Sequence, residues 1–198
     1  AACGNYIEMD GKVIYENNLS ADMVQKVIRV LSECKMPVVL EGSTDYWIDD
    51  EGFEDDPYVD YLFESLGEHA HIIRGYDGEI RINKFSADVI DGTDYERVKA
   101  EFADDFLILE HVENVVEFVP KGTSKATGIK WLCNHLDIPI DETYAIGDSV
   151  NDLEMLESVG HGIAMGNSMP PAKEIAEYVT SDISDDGVKN ALKHYGLI

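Results

Sequence analysis

The chain has 198 residues, enough for one sizeable core or two small ones, and its 44% hydrophobic content is that of a globular rather than a disordered protein. Forty acidic residues against fifteen lysines and arginines give a formal charge of −25, a surface that repels nucleic acid and anionic membrane and reads first as a solubility device. Cys3, Cys34 and Cys133 show no CxxC spacing, no apolar stretch approaches membrane-spanning length and the first residues carry no signal-peptide pattern, which argues against a disulfide framework, a zinc site or a membrane span and leads us to expect a cytoplasmic location.

Taken in order, the chain opens on Ala1-Ala2-Cys3-Gly4 with no initiator Met and runs at once into strand-like sequence. Tyr6 to Tyr15 reads as two short strands around Asp10-Gly11, a strong hairpin signal. Ser20 is placed to cap a helix running to about Cys34, with Met23, Val27, Val30 and Leu31 on one face. Pro37 ends it, and Val38-Val39-Leu40 gives a strand. Residues 49–56 hold six acids in eight positions and are expected to form a solvated loop. A helix over Tyr58–Leu66 follows, then strands near Ile72-Ile73 and over Glu79–Lys84. A helix over Thr93–Phe102 comes next, with Thr93 or Asp91 as its cap. Phe106–Leu109 and Val115–Val119 form a plausible antiparallel pair.

After Pro120 the pattern changes to a regular alternation of helix and strand. A helix over Ser124–His135 leads to a strand at Tyr144–Ile146 and a helix after Asn151. Strand Gly162–Met165, helix Pro171–Ala176, strand Tyr178–Thr180 and helix Val188–His194 complete it. Such alternation implies a parallel, helix-covered sheet, whereas the hairpin-like strands of roughly residues 18–118 imply a separate α+β module.

The densest chemistry lies in Gly147-Asp148-Ser149-Val150-Asn151-Asp152, where the strand ends and an amphipathic helix with Leu153, Leu156 and Val159 begins. In an open α/β sheet that end of a strand is where ligand crevices form, and helix N-terminal N–H groups suit phosphate. Carboxylates beside an anion site make sense if a hard cation lies between them, and Mg²⁺ takes one or two carboxylates plus phosphate oxygens. Asp148, at the strand tip, is the best metal-ligand candidate. Asn151 has an amide to donate to a phosphate oxygen, and Asp152 can hold a metal-bound water, although Asp148, Ser149 and Asp152 are also ordinary helix-start residues. Lys125 sits in the first turn of its helix, against the macrodipole, which suggests a phosphate-facing charge.

These segments, with Met155-Leu156, resemble the third and fourth motifs of haloacid dehalogenase-like phosphatases, in particular the Cof-like subgroup with a large α/β cap. Gly162-Ile163-Ala164-Met165-Gly166-Asn167 and Asp186-Gly187-Val188 are similar to that subgroup's C-terminal sequence, and Gly4-Asn5-Tyr6-Ile7 through Ser20 to the segment entering its cap. The resemblance implies an α/β fold: a Rossmann-like parallel-sheet core from residues 1–17 and 119–198, with an inserted α+β cap domain at 18–118. It implies Mg²⁺ on Asp148 with Asp152 in or beside the same shell, phosphate held by Lys125 and Asn151, and Lys125 also paired with the motif carboxylates. The activity implied is Mg²⁺-dependent hydrolysis of small phosphorylated metabolites, with sugar phosphates as the default class, through an aspartyl-phosphate.

One departure stands out. The family opens with a D-x-D-G-T strand whose first Asp attacks phosphorus, and no such segment occurs in the 198 residues. The nearest, Asp88-Val89-Ile90-Asp91-Gly92-Thr93, has the wrong carboxylate spacing. By the family's order the sequence starts after the first two motifs, so a truncated form without turnover is expected. A non-catalytic phosphometabolite-binding or regulatory module and a phosphomutase are the alternative readings. Elsewhere, His69 and His71 lack an evident third metal ligand, the run 49–56 does not reproduce a calcium loop, and Tyr46 and Trp47 suit either a substrate pocket or the core. Neither substrate identity nor oligomeric state is readable.

Overall fold

In a computed structural model, residues 1–49, 57–111 and 114–198 are described, and their contacts divide them into two units, 1–122 and 123–198. The run 49–56 therefore falls, apart from Asp49, outside the described residues.

The first unit opens with the hairpin β1 (Tyr6–Met9) and β2 (Lys12–Glu16), whose two-residue turn has Asp10 and Gly11 at φ 52° and 72°. Positive φ at both turn positions matches the twist of the flanking strands, which is why Asp-Gly works there. The hairpin is tied to this unit: the Ser43 hydroxyl donates to Glu16 at 2.6 Å, and Arg81 pairs with Glu16 at 3.2 Å. Residues 1–17, read from sequence with 119–198, thus share a contact unit with 18–118, and the division falls between Gly122 and Thr123.

Helix α1 (Ala21–Glu33) starts where expected, with Ser20 Oγ accepting the N–H of Met23. It is followed by β3 (Val38–Glu41), β4 (Tyr46–Ile48), α2 (Pro57–Leu66), β5 (Ala70–Ile72), β6 (Lys84–Asp88), α3 (Tyr95–Phe102), β7 (Phe106–Glu110) and β8 (Val115–Pro120). The strands form a six-stranded sheet in the order β5-β4-β3-β6-β8-β7, antiparallel except where β4 meets β5.

Two details differ from expectation. Glu79–Lys84 is not a strand. The apolar alternation of Ile80 and Ile82 aims Ile82 into the core, but Ile82 O accepts from Leu19 N–H, and the ladder starts only where Lys84 comes opposite Glu41. The cap of α3 is Asp94, whose carboxylate accepts the N–H of Arg97, and not Thr93 or Asp91. Thr93 Oγ1 instead donates to Lys35 O, binding the loop to the end of α1.

Strand alternation sorts the sheet's two faces. Phe85 and Phe118 are direct cross-strand partners, stacked with centroids 4.5 Å apart, and with Phe102 and Phe106 they form an aromatic core under α1 and α3. On the other face Val39 and Ile48 pack against Leu62 of α2. That face also carries Lys84, which pairs with Glu41 at 2.6 Å and Glu117 at 3.0 Å. His111 adds an Nε2 contact to Glu117 at 3.1 Å. Burial alone would lower the Lys84 pKa, but the two glutamates overcome it and hold the ammonium well above its ordinary range. Burial would raise Glu117, yet Lys84 and then His111 hold it below 4.5.

The second unit is the α/β half: α4 (Lys125–Leu136), β9 (Tyr144–Gly147), α5 (Leu153–Ser158), β10 (His161–Ala164), α6 (Pro170–Ile175), β11 (Tyr178–Val179) and α7 (Gly187–His194). Its strands form a parallel sheet in the order β11-β10-β9, with Gly147 opposite Ala164 and Ala164 opposite Val179. Leu156 and Ala172 bury against Ala145, with Leu153, Val159 and Ile175 around them, so α5 and α6 cover one region of the sheet. Among the described residues no helix is long and apolar enough to cross a membrane, and no disulfide joins the three cysteines.

Phe85→Ala should destabilise the first unit by about 3–5 kcal/mol, read from the urea midpoint at constant m-value, because it opens the centre of the aromatic core. The ion cluster carries a pH signature. The stability Glu117 contributes is fully present above its ordinary pKa and is lost as pH falls through its lowered folded value. Lys84→Met should therefore move the acid loss of stability to higher pH. Superimposable midpoint-against-pH curves from pH 2 to 6 would show that the pair does not hold Glu117 ionised.

Candidate functional site

The loop after β9 lies at the carboxyl ends of the parallel strands, where an α/β sheet presents ligand sites. Its backbone is held from beneath by the segment after β10. Gly147 O accepts the N–H of Met165 at 3.0 Å and the Ser168 hydroxyl at 3.1 Å, and Asp148 O accepts the N–H of Met169 at 3.0 Å. Ser168 is buried, so this is an interior tie.

Asp152 organises the loop. It is only 4% exposed, and its Oδ2 accepts the backbone N–H groups of Asp148 at 3.0 Å and Ser149 at 3.2 Å. Its Oδ1 receives Lys125 Nζ at 2.5 Å. Burial would raise this carboxyl, but the Lys125 ammonium and the two N–H groups outweigh it and keep Asp152 below its ordinary range. The strand can turn so tightly around that carboxylate because residue 147 is glycine. A Cβ there would lie 2.6 Å from Asp152 Cβ and 2.9 Å from its Cγ.

Lys125 is the first residue of α4, whose start is closed by a reciprocal capping box between Ser124 and Thr127. With that cap satisfying the helix end, the lysine extends to Asp152 and lies 3.4 Å from Asn151 Oδ1, its side chain 37% exposed. Ser149 Oγ also donates to Asn151 Oδ1, at 2.5 Å. Both contacts fix the amide oxygen and so turn the Asn151 NH₂ toward other acceptors.

Asp148 is different in kind: it is exposed, and its carboxylate has no hydrogen-bond or ion-pair partner among the described residues. The structure therefore brings together Lys125, Asn151 and Asp152 in direct contact, and places Asp148 on the same loop with its carboxylate uncommitted. The helix that follows starts differently from what its sequence suggested. It is a 3-10 turn, Val150–Asp152, leading into the six-residue α5, and the loop N–H groups of Asp148 and Ser149 are already taken by Asp152.

An uncommitted carboxylate suits a hard divalent cation, and Mg²⁺ keeps most of its waters and takes one or two protein carboxylates, so Asp148 fits as a ligand. Asp152, with three donors on its two oxygens, has little left for direct ligation and suits contact through a bound water. The residues missed in sequence are Ser168 and Ser149. Ser168 acts through a tie to Gly147, 21 positions away, that no local pattern announces.

Other candidates resolve into ordinary pairs. His69 and His71 both bond Asp45 Oδ1, at 3.3 and 2.9 Å. His161 pairs with Glu177, while His135 stacks on Trp131 and His194 on Tyr178.

The family model for haloacid dehalogenase-like hydrolases matches residues 1–192. YkrA of Bacillus subtilis (strain 168) is 31% identical over 98% of this chain and 74% of its own length. Phosphatase YwpJ of the same organism is 40% identical over 48% of this chain and 33% of its own. A solved structure of a hypothetical protein from Geobacillus kaustophilus HTA426 superimposes with a TM-score of 0.82 at 26% identity, covering 99% of this chain and 75% of that one.

Gly147→Ala tests how tightly the loop is built. The added methyl should force the Asp152 carboxylate aside and lower stability by about 1–3 kcal/mol as an overpacking change. The midpoint of thermal unfolding reads it, and an unchanged midpoint would mean that the loop yields freely.

Proposed function

This chain belongs to the haloacid dehalogenase-like hydrolase family, in its Cof-like subgroup, and from that membership we propose that it provides the phosphate- and metal-holding half of a phosphatase acting on small phosphorylated metabolites, with sugar phosphates the leading class. The observation that carries the reading is the Lys125–Asp152 pair, clamped beside Asn151 and an uncommitted Asp148 at the end of a parallel strand.

Formal charges at the site argue for the metal. Lys125 is neutralised by Asp152, so Asp148 leaves the group net negative, which alone would repel a phosphate dianion. When bound, Mg²⁺ reverses that balance and polarises a phosphoryl oxygen. The protein's own contribution is positional. Asp148 would hold the cation, and Asp152 would fix Lys125 and the loop backbone. The Lys125 ammonium would donate to a phosphate oxygen while still held, and the Asn151 NH₂ to a second. Phosphoryl transfer depends chiefly on such positioning and charge neutralisation.

The family's attacking aspartate has no counterpart in the 198 residues, which hold no D-x-D-G-[TS] segment. Within them the site binds and orients rather than attacks. The same fact supports, as the second reading, a phosphometabolite-binding role without turnover.

Calorimetric titration separates the parts. Inorganic phosphate should bind the 198-residue chain in the presence of Mg²⁺. Lys125→Ala should weaken it about tenfold or more, the scale of one charge-assisted hydrogen bond. Asp148→Ala should remove the Mg²⁺ dependence; Mg²⁺-dependent phosphate binding that survives Asp148→Ala unchanged would remove the basis of this assignment. The 198-residue chain should release no phosphate from sugar phosphates, and sustained Mg²⁺-dependent release that disappears in Asp148→Ala would show that the attacking group lies within it.

A further inference from the structure

Helix α7 carries apolar side chains on more than its inner face. Gly187 and Ala191 are buried against the second unit, as an amphipathic helix requires. Val188, one turn before Leu192 on the outer side, is 43% exposed, and Ile183, in the turn before the helix, is 64% exposed. With Ile198 these side chains line one groove of about 330 Å³, whose charged lining is Asp186 and Lys189, paired at 3.1 Å.

The groove stands on an ordered backbone. Ile183 N–H donates to Asn167 Oδ1 at 3.0 Å, and Asp182 Oδ1 accepts the next N–H, of Ser184, at 2.9 Å. Asn190 of α7 reaches back to Ser181 Oγ at 2.8 Å and Asp185 O at 2.9 Å. At the other end Gly196, at φ 67°, closes the helix: its N–H donates to Lys193 O and Leu197 N–H to Leu192 O. A single exposed apolar side chain needs no explanation, but several in one groove on a fixed backbone mark an interaction surface.

Charge along this surface identifies the partner. Asp185 and Asp186 stand at the start of α7, and Lys189 and Lys193 in its second half. The Asp185 carboxylate and the Lys193 ammonium have no partner among the described residues. A segment of one sign would complement one end of the groove and be repelled at the other. An antiparallel copy of the same helix has the matching order of charge and the same apolar ridge. We propose that α7 packs on α7 of a second copy across a two-fold axis, giving an isologous dimer. The axis passes between Val188 and Leu192, so Val188 meets Leu192 of the second copy and the reverse. Lys193 then comes opposite the second copy's Asp186 and Asp185, while Lys189 stays with its own Asp186. The face lies outside the Asp148 loop and does not depend on the phosphatase reading.

Two eight-residue helices with their flanking turns make a small interface, so a dissociation constant on the order of 10–100 µM is expected. Sedimentation velocity of the 198-residue chain over that range, in about 0.15 M salt to screen the repulsion between two chains of charge −25, should show a monomer–dimer equilibrium. Val188→Asp should weaken it at least about tenfold, since the charge enters the contact twice. Asp186→Lys and Lys193→Asp should each weaken it, because each places like charges opposite one another. An equimolar mixture of those two variants should recover association, with heterodimers above the statistical share by native mass spectrometry. Val188 and Lys193 are exposed and Lys35 already adopts φ 54° in this chain, so all three variants should keep the parent's melting midpoint. Should Asp186→Lys lower it, Asp185→Lys takes its place in the mixture. A monomer across the whole range, association untouched by Val188→Asp, or a mixture no more associated than its components would each overturn the proposal.

Discussion

The second unit turns on one buried carboxylate. Asp152 accepts two backbone N–H groups from the loop that precedes it and an ammonium from a helix that starts 27 positions earlier, so a single side chain joins the tip of β9 to the start of α4. Such a group is stable in the interior only with its partners in place. Removing Lys125 would leave a buried charge without its counter-ion, a far larger loss than an exposed pair's contribution. The requirement runs both ways. Residue 147 must be glycine for the carboxylate to fit beneath the strand tip, and Lys125 must be long enough to reach it from the capped first turn. The lysine's place against the helix dipole, unfavourable by a few tenths of a kcal/mol (~0.3–1), is offset by this pair.

That explains why the site was legible in sequence while much around it was not. Asp148, Asn151 and Asp152 lie within five consecutive positions and their geometry is decided by a local turn, so spacing carries the information. Lys125 was legible for a different reason: it breaks a local preference, and such conflicts mark places where a longer-range contact decides. The sequence shows N–H groups near a helix start without showing which of them a side chain uses. Here Asp152 takes those of Asp148 and Ser149, just before the 3-10 turn, and the α-helix that follows is short.

In the first unit the boundaries that moved are those set by distant partners. Ile80 and Ile82 alternate like a strand, yet pairing begins at Lys84 because its partner strand, β3, ends at Glu41. Thr93 looks like a helix cap by residue type, but its hydroxyl is engaged by Lys35 O, 58 positions away, and the cap passes to Asp94. The two-part organisation itself was visible, as hairpin-like strands followed by βα alternation, because each pattern is a local periodicity. The assignment of 1–17 was not decided by any periodicity: the hairpin is tied by Glu16 to Ser43 and Arg81, contacts that cross 27 and 65 positions.

Charge scarcity links the two units. With fifteen lysines and arginines against forty acids, cations are shared even where they are partly buried: Lys84 between Glu41 and Glu117, Lys125 with Asp152. The surplus of carboxylate lowers the potential everywhere and concentrates any divalent cation near the surface, most strongly at low ionic strength. Stabilisation by Mg²⁺ is therefore expected to have two parts: a diffuse one that fades as salt screens the surface, and a local one at the Asp148 loop that persists. Only the local part depends on Asp148, so the salt dependence of the difference between the parent and Asp148→Ala, not the response to Mg²⁺ itself, distinguishes a site from an atmosphere. A phosphate group approaching this surface meets the same field with the opposite sign. Against that field it needs fixed donors and a bound cation together, the combination proposed for the end of β9.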